Sequence, residues 1–243
     1  MYRNIKKYEI KFTDADPYDI LKPSSLLSFM EESACLSADE LGFGYNAIMP
    51  KNLGFILVNY YIELKHPVKL GELLEVHTWP LRPKHLIFLR DFEFFSGSEK
   101  VGVGTSRWCM INTQTYTMMP ASAFFDKDFF DNCNTERSVE FNSWKISSLE
   151  ECKFAYSKLI SYSDYDHYFH VNNTKYADFL MDTFTVEELS NKFISKLQIT
   201  YVKQCKIGEV LDLYKRTDGN ICYVEGKVND ELRVQFRVEF NEI

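Results

Sequence analysis

The densest group of side chains able to move a proton or polarise a carbonyl is Asp164-Tyr165-Asp166-His167-Tyr168-Phe169-His170-Val171-Asn172-Asn173-Thr174-Lys175-Tyr176. An imidazole titrating near ~6.5 can take a proton from water or give one to a leaving group, which makes His170 a candidate acid–base residue. Asp166, four residues earlier, can orient that imidazole or a water molecule. Asn172 or Asn173 can cap a following helix, whose unpaired N–H groups and positive dipole end suit a polarised carbonyl or an oxyanion. The same residue types are ordinary in loops and caps, so composition leaves a purely structural reading open. His167 and His170 have no His, Cys or carboxylate set at metal-ligand spacing, and no metal is expected. Cys205 is a rival nucleophile if His170 activates its thiol, and equally a small apolar residue in a strand. No G-x-S-x-G elbow supports a serine route.

These residues belong to the second copy of an internal repeat. Phe12-Thr13-Asp14-Ala15-Asp16-Pro17-Tyr18 superposes on Tyr162-Ser163-Asp164-Tyr165-Asp166-His167-Tyr168 at an offset of 150, and the register continues through Phe29/Phe179, Met30/Leu180 and Glu32/Asp182. Ile62 to Glu72 matches Ile199 to Glu209 at an offset of 137, so the second copy is shorter by 13 residues after its helix. Such a repeat fixes the architecture before any single residue does. It also supplies a control, because His170 falls opposite Ile20: a reactive residue in one copy and a bland one in the other mark a candidate site.

Each copy runs from a β-rich stretch (Tyr8 to Phe12; Phe154 to Tyr162) through an Asp-x-Asp loop into a helical pattern and then strands. In the first, Pro23 and Ser24 start the helix, Leu26, Leu27, Met30 and Ala34 form its apolar face, and Gly42 stops it. In the second, the face is Tyr176, Leu180, Met181 and Phe184. Val234, Phe236, Val238 and Phe240 alternate with Gln235, Arg237 and Glu239, the period of a strand with one buried face. Gly71-Glu72 and Gly208-Glu209 mark turns between strands. The polar, unmatched stretch from about Asp131 to Cys152, with Asn132, Asn134, Asn142, Ser143, Ser147 and Ser148, reads as a connector. The division is 1–131, a connector at 132–152, and 153–243.

A hydrophobic share of 45% with 26% charged residues suits a globular chain of 243 residues. A net charge of −7 without any block of like charge disfavours nucleic acid. The first residues lack an apolar signal core, and no stretch reaches the ~18 apolar residues of a membrane span, so a cytoplasmic protein without membrane contact is expected. Six cysteines (Cys35, Cys109, Cys133, Cys152, Cys205, Cys222) without a C-x-x-C pair read as reduced thiols. His66, His77 and His85 fall in or near strands, as packing or surface residues.

Over nearly its whole length the chain resembles the acyl-ACP thioesterase family, whose double-hotdog members carry D-x-N-x-H-V-N-N-x-K-Y in the second repeat. Asp166-His167-Tyr168-Phe169-His170-Val171-Asn172-Asn173-Thr174-Lys175-Tyr176 carries the likeness. Glu31-Glu32-Ser33-Ala34, His66-Pro67-Val68-Lys69-Leu70-Gly71-Glu72 and Thr78-Trp79 resemble its first helix and its R-Y-P-x-W-G-D and T-W signatures. The resemblance implies an α+β double hotdog: two tandem repeats, each a long helix on a curved antiparallel sheet, as a monomer or homodimer. It implies cofactor-free hydrolysis of fatty acyl-ACP to fatty acid and carrier-protein thiol, with acyl carrier protein as partner. Asp166 and His170 match the family's catalytic Asp and His. Tyr168 replaces its Asn, and Gln204 stands where many members have Glu; a neutral Gln can position water but cannot act as a base. The candidate catalytic residues are therefore Asp166, His170, Tyr168, Gln204, Asn172 and Cys205, with His170 the principal base. In this family the acyl chain lies mainly in the first repeat, making Phe29, Leu57 and Trp79, with Asn173, candidate substrate contacts. Arg82, Lys84, His85 and Arg90 are the basic cluster an acidic carrier would meet. An acyl-CoA thioesterase and a non-catalytic acyl-binding or regulatory hotdog are the alternatives.

Overall fold

The computed structural model describes residues 2–147 and 151–243. The chain runs β1 (Asn4–Glu9), α1 (Pro23–Glu40), α2 (Tyr45–Ile48), β2 (Leu53–Leu64), β3 (Leu73–Pro80), β4 (Ile87–Ser96), β5 (Glu99–Asn112), β6 (Met118–Met119) and α3 (Lys127–Asn132), and then β7 (Lys153–Leu159), α4 (Lys175–Met181), β8 (Lys192–Tyr201), β9 (Val210–Asp218), β10 (Ile221–Val228) and β11 (Glu231–Glu242). The strands form one antiparallel sheet in the order β1-β3-β4-β5-β2-β8-β11-β10-β9-β7, with β6 beside β5. Among the described residues no helix is long and apolar enough to cross a membrane.

The strand order is a palindrome when β1 is matched with β7, β2 with β8, β3 with β9, β4 with β10 and β5 with β11. The central register makes this a two-fold relation. Tyr60 pairs with Ile199, Tyr61 with Gln198 and Ile62 with Leu197. The 137-residue offset carries Tyr60 to Leu197, Tyr61 to Gln198 and Ile62 to Ile199, so the partners simply exchange. Hydrogen bonds repeat in the same way. Asp16 N–H donates to Ile20 O (2.7 Å) and Lys22 N–H to Asp14 O (2.8 Å); Asp166 N–H donates to His170 O (2.8 Å) and Asn172 N–H to Asp164 O (2.9 Å). Gly71 and Gly208, both at positive φ, donate to Ile10 O and Ile160 O at 2.9 Å.

Helix α1 buries Leu26, Leu27, Met30, Ser33, Ala34 and Ser37, the spacing of one helical face, and packs on β1, β3 and α4. The same positions are buried after α4 begins: Tyr176, Ala177, Leu180 and Thr183. One apolar core takes the inward residues of both halves, among them Leu74, Val76, Phe92 and Phe94 with Leu213, Val224, Phe236 and Val238. The second helix is short, contrary to the expectation of a long helix in each copy. It ends at Met181, where the Thr183 hydroxyl donates to Leu180 O (2.8 Å) and the β-branched Thr183, Thr185 and Val186 disfavour further turns.

The connector crosses the sheet face opposite the helices. Arg137 and the Ser138 N–H donate to the fully buried Asp91 carboxylate at 2.9 and 2.7 Å. Phe141 stacks on Tyr61 at 3.6 Å, and Gln198 donates to Ser143 O and Trp144 O (3.0 Å), so it is pinned beside the two-fold axis. Ser148 lies outside the described residues.

Candidate active site

Asp166 shapes the loop. Its Oδ1 accepts the N–H groups of Tyr168 (2.8 Å) and His170 (3.2 Å), and Phe169 takes a positive φ of 59° to close the turn. Asp16 does the same, accepting from Tyr18 (2.8 Å) and Ile20 (3.0 Å), with Asp19 at 60°. The carboxylate is thus first a scaffold, and what differs is the side chain delivered at the end: buried Ile20 against exposed His170.

The two loops also sit differently against the rest of their halves. In the first, Leu21 N–H donates to Val68 O (2.8 Å) and Leu70 N–H to Asp19 O (2.9 Å), tying the loop to the turn after β2. In the second, tyrosine hydroxyls make the tie: Ile207 N–H, the counterpart of Leu70 N–H, donates to Tyr165 Oη (2.7 Å), and Cys205 N–H donates to Tyr176 Oη (3.2 Å). At the end of this loop Tyr168, Phe169 and His170 are exposed.

Tyr168 meets Tyr45 of α2 edge-on at 5.8 Å and lies 3.8 Å from the His167 ring, so the second-half loop touches the first half. Partial burial, and then the neighbouring Tyr45, push its hydroxyl up to about 12, which keeps it a proton-bearing donor at neutral pH. Asn172 Oδ1 accepts from Thr174 N–H (2.8 Å) and Thr174 Oγ1 (2.7 Å), starting the turn into α4, and Asn173 O accepts from Tyr201 Oη (2.9 Å). Gln204 is half-buried, with its backbone carbonyl 3.2 Å from Arg233 Nη1.

Cys205 does not suit a nucleophile. It is 1% exposed within the apolar core, like its counterpart Val68, and burial raises its thiol pKa, opposing thiolate formation. Phe29 and Leu57 sit between α1 and the sheet, with Phe29 stacked on Tyr8 at 4.3 Å. Trp79 faces away from α1. Leu74, Val76 and Thr78 of β3 point toward the helix, so alternation sends Trp79 to the other face, where its Nε1 donates to Glu136 O (2.9 Å) under Arg3. Arg90 leaves the exposed basic cluster: it is buried, donating to Ser37 Oγ (2.9 Å) and Thr78 Oγ1 (3.3 Å). Arg82, Lys84 and His85 remain exposed.

The first-half junction is largely apolar, with Asp16 and Lys192 the charged residues in its lining. A cavity of about 40 Å3 there is lined by Asp16, Ile20, Leu64, Pro67, Met181 and Leu197. Sequence reasoning overlooked Tyr45, whose only signal was its aromatic type after the first helix. It also overlooked Glu31 on α1, whose carboxyl is held above the ordinary range by burial and then by the charge of Asp166.

The family models for the acyl-ACP thioesterase N-terminal domain and C-terminal domain match residues 2–122 and 148–242. The chain belongs to the acyl-ACP thioesterase family. It is 26% identical over 226 residues to a chloroplastic palmitoyl-acyl carrier protein thioesterase of Gossypium hirsutum, covering 86% of this chain and 52% of that one. It is 22% identical over 214 residues to a chloroplastic oleoyl-acyl carrier protein thioesterase of Arabidopsis thaliana, covering 81% and 59%. The chain thus spans little more than half the length of these curated relatives. The solved structure of an acyl-ACP thioesterase from Bacteroides thetaiotaomicron superposes with a TM-score of 0.89 at 24% identity, covering 98% of both chains. That of the 12:0-ACP thioesterase from Umbellularia californica superposes with a TM-score of 0.85 at 18% identity, covering 99% of this chain and 98% of that one. The fold is accordingly of the hotdog α+β type.

Proposed function

We propose that the chain hydrolyses fatty acyl carrier protein, releasing free fatty acid and carrier-protein thiol, from a double hotdog. In it residues 1–131 hold the acyl chain, 132–152 connect, and 153–243 carry the catalytic loop. The observation that carries this reading is the asymmetry of the two loops: in a member of this family, equivalent Asp-locked turns deliver His170 on one side and Ile20 on the other. His170 is the acid–base group for attack of water on the thioester carbonyl. Tyr168 donates a hydrogen bond from the loop. The acyl chain lies along Phe29 and Leu57 beneath α1. The exposed Arg82, Lys84 and His85 meet the acidic carrier.

Thiol release measured on palmitoyl- and oleoyl-acyl carrier protein, and on the same acyl groups carried by coenzyme A, tests the reading. Turnover of the carrier-protein substrates is expected, with Arg82→Glu/Lys84→Glu raising KM for them roughly tenfold at low salt and leaving the coenzyme A substrates unchanged. Preference for coenzyme A would make the chain an acyl-CoA hydrolase. Stoichiometric acyl binding without thiol release would make it a non-catalytic acyl-binding protein.

A further inference from the structure

We infer that the active site spans the seam between the halves, with Glu31 of α1 as its second acid–base group and the hydroxyls of Tyr60 and Tyr201 lining the same junction. This rests on the hydrolase reading and extends it to residues of the first half.

The two-fold relation supplies the geometry. The first-half cavity is lined by Ile20, Leu64, Pro67, Met181 and Leu197. Their counterparts, at the offset of 150 through loop and helix and 137 through the strands, are His170, Tyr201, Gln204, Glu31 and Tyr60. Five of the apolar residues lining one junction have polar counterparts at the other, while Leu21, Ile62 and Val68 keep apolar ones in Val171, Ile199 and Cys205 and Asp16 keeps a carboxylate in Asp166. The offsets are fixed independently of that comparison: matched loop hydrogen bonds and the shared buried positions of α1 and α4 set the first, and exchange of partners about Tyr61 and Gln198 sets the second. Glu31 therefore faces the Asp166–His170 loop as Met181 faces the Asp16–Ile20 loop.

Three further observations point the same way. The Tyr60 hydroxyl is buried and has no partner among the described residues, although a buried hydroxyl left unpaired is unfavourable. Tyr201, on the adjoining strand, donates to Asn173 O at the start of α4 (2.9 Å). Burial and the charge of Asp166 raise the Glu31 carboxyl above its ordinary range, the environment of a base that works closer to neutral pH. Gln204 cannot supply this charge.

With Glu31 in place the two proton transfers separate. Ionised Glu31 takes a proton from water as the water oxygen bonds to the thioester carbon and the carbonyl π pair moves onto oxygen. When that pair returns, the C–S bond breaks, its electrons leave on sulfur, and protonated His170 supplies the sulfur's proton. Transfer from Glu31 to His170 through solvent then restores both groups. The sum is thioester plus water giving carboxylic acid plus thiol.

The test compares wild type, Glu31→Gln, Glu31→Met and His170→Ala on palmitoyl-acyl carrier protein across pH. Glu31→Gln is expected to lower kcat about 100-fold with KM within about twofold, and to remove the acidic limb of the pH–kcat profile. Removing a half-buried carboxyl leaves Tm unchanged or higher. The raised carboxyl costs wild type stability as pH rises through its titration, and Gln carries no such cost. Glu31→Met, which installs the residue of the twin position, keeps the test open if Gln perturbs folding. Folded Glu31 variants that keep kcat within twofold and retain the acidic limb, while His170→Ala loses turnover, would overturn the inference and leave the hydrolase reading standing. Absence of thiol release by wild type would overturn both.

Discussion

Asp16 and Asp166 hold their loops through the same pair of backbone N–H bonds, so the carboxylate present in both copies cannot by itself set one junction apart. Truncating either leaves two N–H groups without their charged acceptor. Asp16→Ala and Asp166→Ala should each lose about 1–3 kcal/mol in urea denaturation, but only Asp166→Ala should also lower thiol release, because only its loop delivers His170. Equal loss of activity from both would mean that the loops act through stability alone. At this scale the sequence singled out His170 as a candidate because Ile20 stands opposite it, and the same comparison held Glu31 against Met181 and Tyr60 against Leu197. Those pairs went unread because an acid on a helix and a tyrosine in a strand look ordinary until the junction they share is known. Trp79 and Arg90 failed for another reason. Residue type does not say which face of a strand the helix covers, and alternation turns Trp79 outward and Arg90 inward toward α1.

The elements repeat more faithfully than their lengths do. Turns, strand order and buried helical positions recur, whereas α1 has 18 residues and α4 only 7. Apolar periodicity located both helices but could not show where the second ends, since Phe184 continues the pattern while Thr183 closes the helix through the Leu180 carbonyl. Turn equivalence is measurable. Gly71 and Gly208 adopt φ of 81° and 84°, and a Cβ at either would meet no atom within 4 Å. The cost of Gly71→Ala or Gly208→Ala is then the left-handed backbone alone, about 1–2 kcal/mol at each site. Equal losses of Tm are expected; a loss at one glycine only would show that the turns are not equivalent.

Across the whole molecule, one palindromic sheet and one core join halves that are alike in architecture and unlike in chemistry. The duplication was legible because spacing survives where identity does not. The polar connector read as a mere link, yet its Phe141 and Ser138 cover the sheet and Asp91, contacts that depend on strands distant in sequence. On the proposed reading the second-half junction alone carries the acid–base chemistry. The most direct measurement is thiol release from palmitoyl-acyl carrier protein by His170→Ile, which gives the second loop the residue of the first. His170 is exposed and its side chain holds up no core, so Tm should stay near that of wild type while kcat falls about 100-fold or more. A folded His170→Ile protein that turns over at the wild-type rate would contradict the account.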